Sequence, residues 1–115
     1  MPAPARHAVL LGEDGFRVRH RGLDWGPFEY RFAADLRGVE LWHVGEKTAE
    51  VCGPAQIHAD LSGRGLPDRV VEVAALTFGV LVFAIREGRP DRGALLATEL
   101  AARGLGRFAV EFTAD

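Results

Sequence analysis

Three polar side chains have the types needed for acid–base chemistry: His58, Asp60 and Glu72. His58 and Asp60 are two positions apart in a segment of alternating hydropathy, so on a strand they would share one face and the carboxylate could orient the imidazole. Glu72 lies in a long apolar run, where burial would raise its pKa and suit it to proton transfer. No nucleophile accompanies this candidate polar site, so we favour surface roles for all three residues.

The histidines and the single cysteine do not predict a metal site. His7, His20, His43 and His58 show neither the i, i+2 spacing of a strand site nor the i, i+4 spacing of a helical one. Cys52 is the only cysteine, which excludes an intrachain disulfide and is typical of a reducing compartment. We therefore expect no metal, no other cofactor and a cytoplasmic location.

A row of arginines is the strongest candidate for a binding surface. Three arginines spaced by two would share one strand face, a fourth would extend the row on a neighbouring strand, and two tryptophans could line a groove beside them. Guanidinium groups form paired hydrogen bonds with phosphate or carboxylate, so the row could contact nucleic acid or another anion. We favour the alternative, a solvated face paired with carboxylates, because the net charge is only -2. The candidate binding residues are Arg17, Arg19, Arg21, Arg31, Trp25 and Trp42.

The elements that would position these side chains follow from the hydropathy period. Apolar and polar residues alternate between turn signals up to residue 62, which predicts about six short strands linked as an antiparallel meander. The sixth would run through Ile57, Ala59 and Leu61. The alternation returns over residues 106–113 and predicts a final strand that rejoins the sheet.

Residues 68–87 form the longest apolar run and predict a helix. Asp68 could cap its start and Gly88 its end. The many β-branched residues and Gly79 lower helix propensity, so two strands joined near the middle of the run remain an alternative. The apolar part of this run, Val70 to Ile85, has about 16 residues and at ~1.5 Å per residue is too short to cross the ~30 Å hydrocarbon core of a bilayer, so we expect no membrane span.

A second helix, opened by Pro90 and closed by Gly104, follows from a 3.6-residue period. Together these elements predict an α+β fold, with an antiparallel meander sheet of about six strands followed by two helices packed on one face and a final C-terminal strand. The predicted core comprises Val9, Phe16, Val18, Phe28, Tyr30, Phe32, Leu41, Ile57, Leu76, Phe83, Leu96, Leu100, Phe108 and Val110.

The size of the chain predicts one domain. Its 115 residues with 48% hydrophobic content suffice for a single core over residues 1–115. Residues 1–6 contain two prolines and no apolar stretch of a signal peptide, so we expect a short flexible tail. Lys47 is the only lysine among 14 basic residues, which is typical of a GC-rich bacterial genome.

The sequence favours a non-catalytic binding or assembly module that acts through protein–protein contact as a homodimer. The sequence contains no catalytic motif. The apolar helix also carries more apolar surface than we expect so small a domain to bury by itself. On that helix Glu72, Gly79 and Arg86 are spaced by seven and form one stripe facing solvent or a partner. One alternative is a small enzyme or ligand-binding protein with a pocket between sheet and helices. The other is nucleic-acid or anion contact by the arginine row, against which the net charge argues.

Overall fold

The computed structural model describes residues 5–32, 39–50 and 54–113. Within these ranges the fold is α+β, as predicted, with six strands in one sheet and three helices. In chain order the elements are β1 (Ala8–Leu11), β2 (Gly15–His20), β3 (Leu23–Phe32), β4 (Val39–His43), β5 (Glu46–Glu50), α1 (Pro54–Ser62), α2 (Asp68–Arg86), α3 (Arg92–Ala102) and β6 (Ala109–Phe112).

The sheet has the strand order β5-β4-β3-β2-β1-β6. Strands β1 to β5 form the antiparallel meander that the alternating hydropathy predicts. The final strand rejoins the sheet as predicted, but it pairs in parallel with β1, with Ala8 opposite Ala109. A parallel pair needs a long crossover connection. The three helices lie between the meander and β6 in the chain and supply that connection.

The predicted sixth meander strand is wrong, because its residues form α1. Ile57 and Leu61 are four residues apart, which places both on one side of a helix, and both are buried. Ala59 would have joined them in the core on a strand, and it is exposed instead. The spacing of Ile57 and Leu61 fits the buried face of a strand as well as that of a helix. The packing of this segment against α2 favours the helix.

The long apolar run forms the single helix α2, so the alternative of two strands is wrong. Pro67 precedes its first turn and no side chain caps it, so the predicted cap at Asp68 is wrong by one position. Asp68 lies in the first turn, where the helix dipole favours a negative charge. Gly88 ends the helix with a left-handed φ of 64°, and Arg89 N–H donates to the Ala84 carbonyl oxygen at 2.8 Å.

The helices form a layer on one face of the sheet. α1 contacts β5 at one edge, α2 covers β2 and β3, and α3 contacts β6 at the other edge. Most of the predicted core is buried between these layers. Leu76 and Val110 are only partly buried, and the side chain of Phe32 lies outside the described part. The prediction is wrong for Phe83, which is 50% exposed on the outer side of α2.

A tyrosine and an arginine tie the helix layer to the first hairpin. The Tyr30 hydroxyl donates to the Glu13 carbonyl oxygen at 2.7 Å. Arg92, the first residue of α3, donates to the Tyr30 hydroxyl at 3.2 Å and to the Gly12 carbonyl oxygen at 3.1 Å. Burial raises the pKa of the Tyr30 phenol. This network fixes the start of α3, and therefore the orientation of the helix that forms one wall of the site described next.

Candidate functional site

An open groove runs along the outer side of the helix layer. Its volume is about 710 Å³. Opposite this groove, the inner side of α2 carries Val70, Thr77 and Leu81, which are completely or almost completely buried. The groove residues are His58 from α1, Glu72, Ala75, Leu76, Gly79, Val80 and Phe83 from α2, Leu95 and Glu99 from α3, and Arg103 and Leu105 beyond it.

A stripe along α2 crosses the groove, formed by Glu72 at the rim and by Leu76, Gly79 and Phe83 on the floor. Their spacing of four, three and four residues places all four on one side of the helix. A Cβ added at Gly79 would meet nothing within 4 Å, so the helix backbone is uncovered at that point. One turn further on, the half-exposed ring of Phe83 projects from the same side. The α2 stripe therefore combines a depression with an adjacent apolar projection.

Charged residues form the rim of the groove and pair with neighbours on their own helices. Arg69 donates to the Glu72 carboxylate at 3.1 Å. Arg103 lies 3.9 Å from the Glu99 carboxylate, and both side chains are about half exposed. Such exposed pairs contribute little stability. They give the apolar floor a polar border, which is the arrangement typical of protein–protein contacts.

The structure separates one of the three residues of the candidate polar site from the other two. His58 and Glu72 both line the groove. Asp60 accepts a hydrogen bond from Arg64 at 3.3 Å and does not line it. The prediction that His58 and Asp60 share a face is wrong, because residues two apart on a helix point about 200° away from each other. His58 is exposed, and its Nδ1 lies 3.5 Å from the Ser62 hydroxyl.

The arginine row is interrupted by ion pairs on the sheet face that the helices leave open. Arg17 is exposed there, while Arg19 donates to the Asp24 carboxylate at 2.6 Å and lies 3.9 Å from the Glu111 carboxylate. The hydrogen bond from Arg19 lowers the pKa of the Asp24 carboxyl. Arg19 is therefore already paired with carboxylates, as the alternative interpretation of this face expects.

The next part of the same face is organised by Trp42. The Arg31 guanidinium lies 3.7 Å from the centre of the Trp42 ring, a cation–π contact. The Trp42 indole N–H donates to Glu40 at 3.2 Å, and Glu40 lies 2.8 Å from the Lys47 ammonium. These two hydrogen bonds, that from Lys47 the stronger, lower the pKa of the Glu40 carboxyl. Each charge here has a nearby complement.

Two residues of the predicted surface, Trp25 beside the row and Arg21 within it, lie elsewhere. Trp25 is partly buried against the hydrophobic core, on the side of the sheet covered by helices. Arg21 follows β2 in a turn, with a left-handed φ of 54°. It lines a different concavity, together with His20, Arg69 and Arg107.

The sequence interpretation missed the projecting ring of Phe83 and the α3 wall of the groove. A usable signal was present for both. Phe83 is four residues after Gly79 and falls within the predicted stripe. Leu95, Glu99 and Arg103 are spaced by four, so they form one line along the second helix. What the spacing alone does not show is that the two lines face each other across an open groove.

Comparisons with known proteins give no functional assignment. No family model matches the chain, and neither a curated protein nor a solved structure matches it. In the described ranges, no three histidine, cysteine or acidic residues come together as a metal site, and Cys52 lies outside those ranges. None of the helices described combines the length and the apolar character needed to cross a membrane.

Proposed function

We propose that the protein is a non-catalytic association module that forms a homodimer through the groove. The observation that carries the proposal is the α2 stripe, on which the half-exposed Phe83 stands beside the uncovered backbone at Gly79. A large aromatic ring left in water beside an open depression gains free energy when both are covered. The composition supports a bacterial cytoplasmic setting for such a module.

The stripe is self-complementary, which favours a second copy of the chain as the occupant. A two-fold axis through Gly79 would lay two α2 helices antiparallel, with the glycine backbones in closest contact. Glu72 would then lie opposite Arg86 of the second copy, and the same pair would recur at the other end. Phe83 would lie opposite Ala75 of the second copy, another apolar residue that lines the groove. One geometry therefore matches both shape and charge.

The dimensions of the helix layer suit a weak dimer. The 19 residues of α2 extend over about 28 Å at ~1.5 Å per residue. Three helices side by side add roughly 18 Å between the outer axes. The projected face of at most roughly 500 Å² is smaller than the ~800 Å² per partner of standard stable interfaces, so we expect a weak dimer.

Sedimentation velocity from micromolar to millimolar concentration tests the proposal. We expect a species of twice the 12.5 kDa chain mass that dissociates on dilution. Phe83→Glu should shift the protein to monomer, because the interface would bury an unpaired charge. Leu23→Glu is the matched control, since Leu23 is also an exposed large apolar residue but lies in the sheet, and it should leave the dimer intact. A monomer at every concentration would overturn the proposal.

A charge exchange tests the antiparallel geometry. Glu72→Arg and Arg86→Glu should each weaken the dimer by placing like charges opposite each other at both ends. The double variant restores opposite charges at those positions and should recover most of the lost affinity. If the two effects simply add, the helices do not cross in this register.

A further inference from the structure

A second concavity, separate from the groove in its chemistry, lies at one end of α2. It has a volume of about 420 Å³. The turn after β2, the first turn of α2 and the loop before β6 meet there, although they are far apart in sequence. The residues used below are His20, Arg21, Asp68, Arg69, Glu72 and Arg107, and all of them line the concavity.

Three arginines converge on this concavity from the three elements. Arg69 is paired with Glu72 at 3.1 Å. Neither Arg21 nor Arg107 forms an ion pair with another residue in the described part of the chain. Like charges held together repel one another, so an anion placed among them would gain their combined attraction.

His20 forms the adjoining wall and lies against a second histidine behind it. The ring of His20 stacks on Phe108 at 6.2 Å between centroids and meets the edge of His7 at 5.2 Å. Its Nδ1 is buried and has no hydrogen-bond partner among the described residues. An unpaired buried nitrogen leaves His20 with hydrogen-bonding capacity that no described residue uses.

The pKa values of His20 and His7 are lowered partly by the positive charges around them. Burial lowers the pKa of His20, and His7, Arg21, Arg107 and Arg69 lower it further. Burial also lowers the pKa of His7, with further lowering by Arg107, Arg6 and Arg21. Asp68 and Glu72 are the carboxylates that line the same space.

We propose that this concavity binds a small molecule with a single phosphate group, held by Arg21, Arg69 and Arg107 with His20 as an additional donor. Guanidinium groups match the oxygens of a phosphate in paired, charge-assisted hydrogen bonds. The space is larger than a bare phosphate ion needs, so it fits a phosphate ester with a small organic group. Asp68 and Glu72 repel a polyanion, which disfavours a nucleic-acid backbone. This site shares Glu72 with the groove of the proposed dimer, but none of its four proposed donors lines that groove.

Titration calorimetry and histidine NMR test the site, with inorganic phosphate and glycerol 3-phosphate as probes. We expect saturable binding of both, tighter for the ester, with a rise in the pKa of His20 and His7 on binding. Acetate at equal ionic strength should not compete. Tighter binding of the free ion than of the ester would overturn the inference about the organic group. An absence of binding at millimolar concentration would overturn the site itself.

The variants distinguish a built site from general charge attraction. Arg107→Gln and Arg21→Asn should each weaken phosphate binding about tenfold through the loss of charge-assisted hydrogen bonds. Asparagine tolerates a left-handed φ better than arginine does, so Arg21→Asn should also raise the thermal unfolding midpoint. A raised midpoint would show that the weaker phosphate binding of this variant is not caused by misfolding. Arg17→Gln is the matched control, an exposed arginine on the open sheet face, and should bind normally. Equal losses in all three variants would overturn the proposal.

Discussion

Replacement of Gly79 should change folding stability and dimer affinity in opposite directions. In the interior of α2, alanine is favoured over glycine by about 1 kcal/mol of helix propensity. The added Cβ meets nothing within 4 Å, so no steric cost offsets this gain. For a chain of this size, about 1 kcal/mol corresponds to a rise of about 4–6 °C in the unfolding midpoint. Gly79→Ala should show this rise at concentrations where the protein is monomeric.

The larger Gly79→Leu variant extends the test to the interface. Its side chain fills the depression without a clash in the monomer, but it blocks close approach of a second helix, so the dimer should weaken at least about tenfold. Circular dichroism melts and sedimentation measure the two effects separately. Gly88→Ala is the opposite control, because its left-handed φ should make alanine destabilising. A lower midpoint for Gly79→Ala, or an unaltered dimer for Gly79→Leu, would refute this reasoning.

Three further predictions concern the folded chain. Leu81→Ala should lower the free energy of unfolding by about 2–5 kcal/mol in denaturant melts, because the side chain is fully buried; a loss below 1 kcal/mol would contradict that burial. Tyr30→Phe should lower the free energy of unfolding by about 1–2 kcal/mol, since the Arg92 and Glu13 hydrogen bonds lose their shared hydroxyl. An unchanged melt would mean that this network does not stabilise the fold. The pKa values of His7, His20 and His43 lie below 6.5, chiefly because of burial. Below pH 6.5 the unfolded chain therefore binds more protons, and unfolding free energy should fall as the pH falls through this range; melts independent of pH between 5 and 7 would refute it.

The sheet could be predicted from the sequence because its period is local. Residues such as Phe16 and Val18 alternate with arginines, and a strand with one buried face has no other consistent arrangement. Ile57 and Leu61 are different, because a spacing of four satisfies a strand and a helix equally well. Only the contact of that segment with α2 decides between them. The parallel pairing of β6 likewise depends on where α3 ends in space, which no local pattern records.

The candidate sites show the same division between local and distant information. Glu72 and Gly79 could be placed on one helix side from spacing alone. The exposure of Phe83 could not be predicted, because a phenylalanine in an apolar run is expected to be buried until the positions of α1 and α3 are known. The alternation of residues predicts Arg21 on a strand face, whereas the turn after β2 places it beside Arg107, almost ninety positions further along the chain.

The parallel pairing of β1 with β6 has a consequence for biosynthesis. The hydrogen-bonding edge of β1 remains unsatisfied until residues 109–112 have left the ribosome, although the meander and the helices can already assemble. An open strand edge is a template for pairing with other nascent chains. Translation that stops before Ala109 would therefore leave the apolar β1 as the open edge, whereas completion of those four residues places the short β6, with its charged Glu111, at that edge.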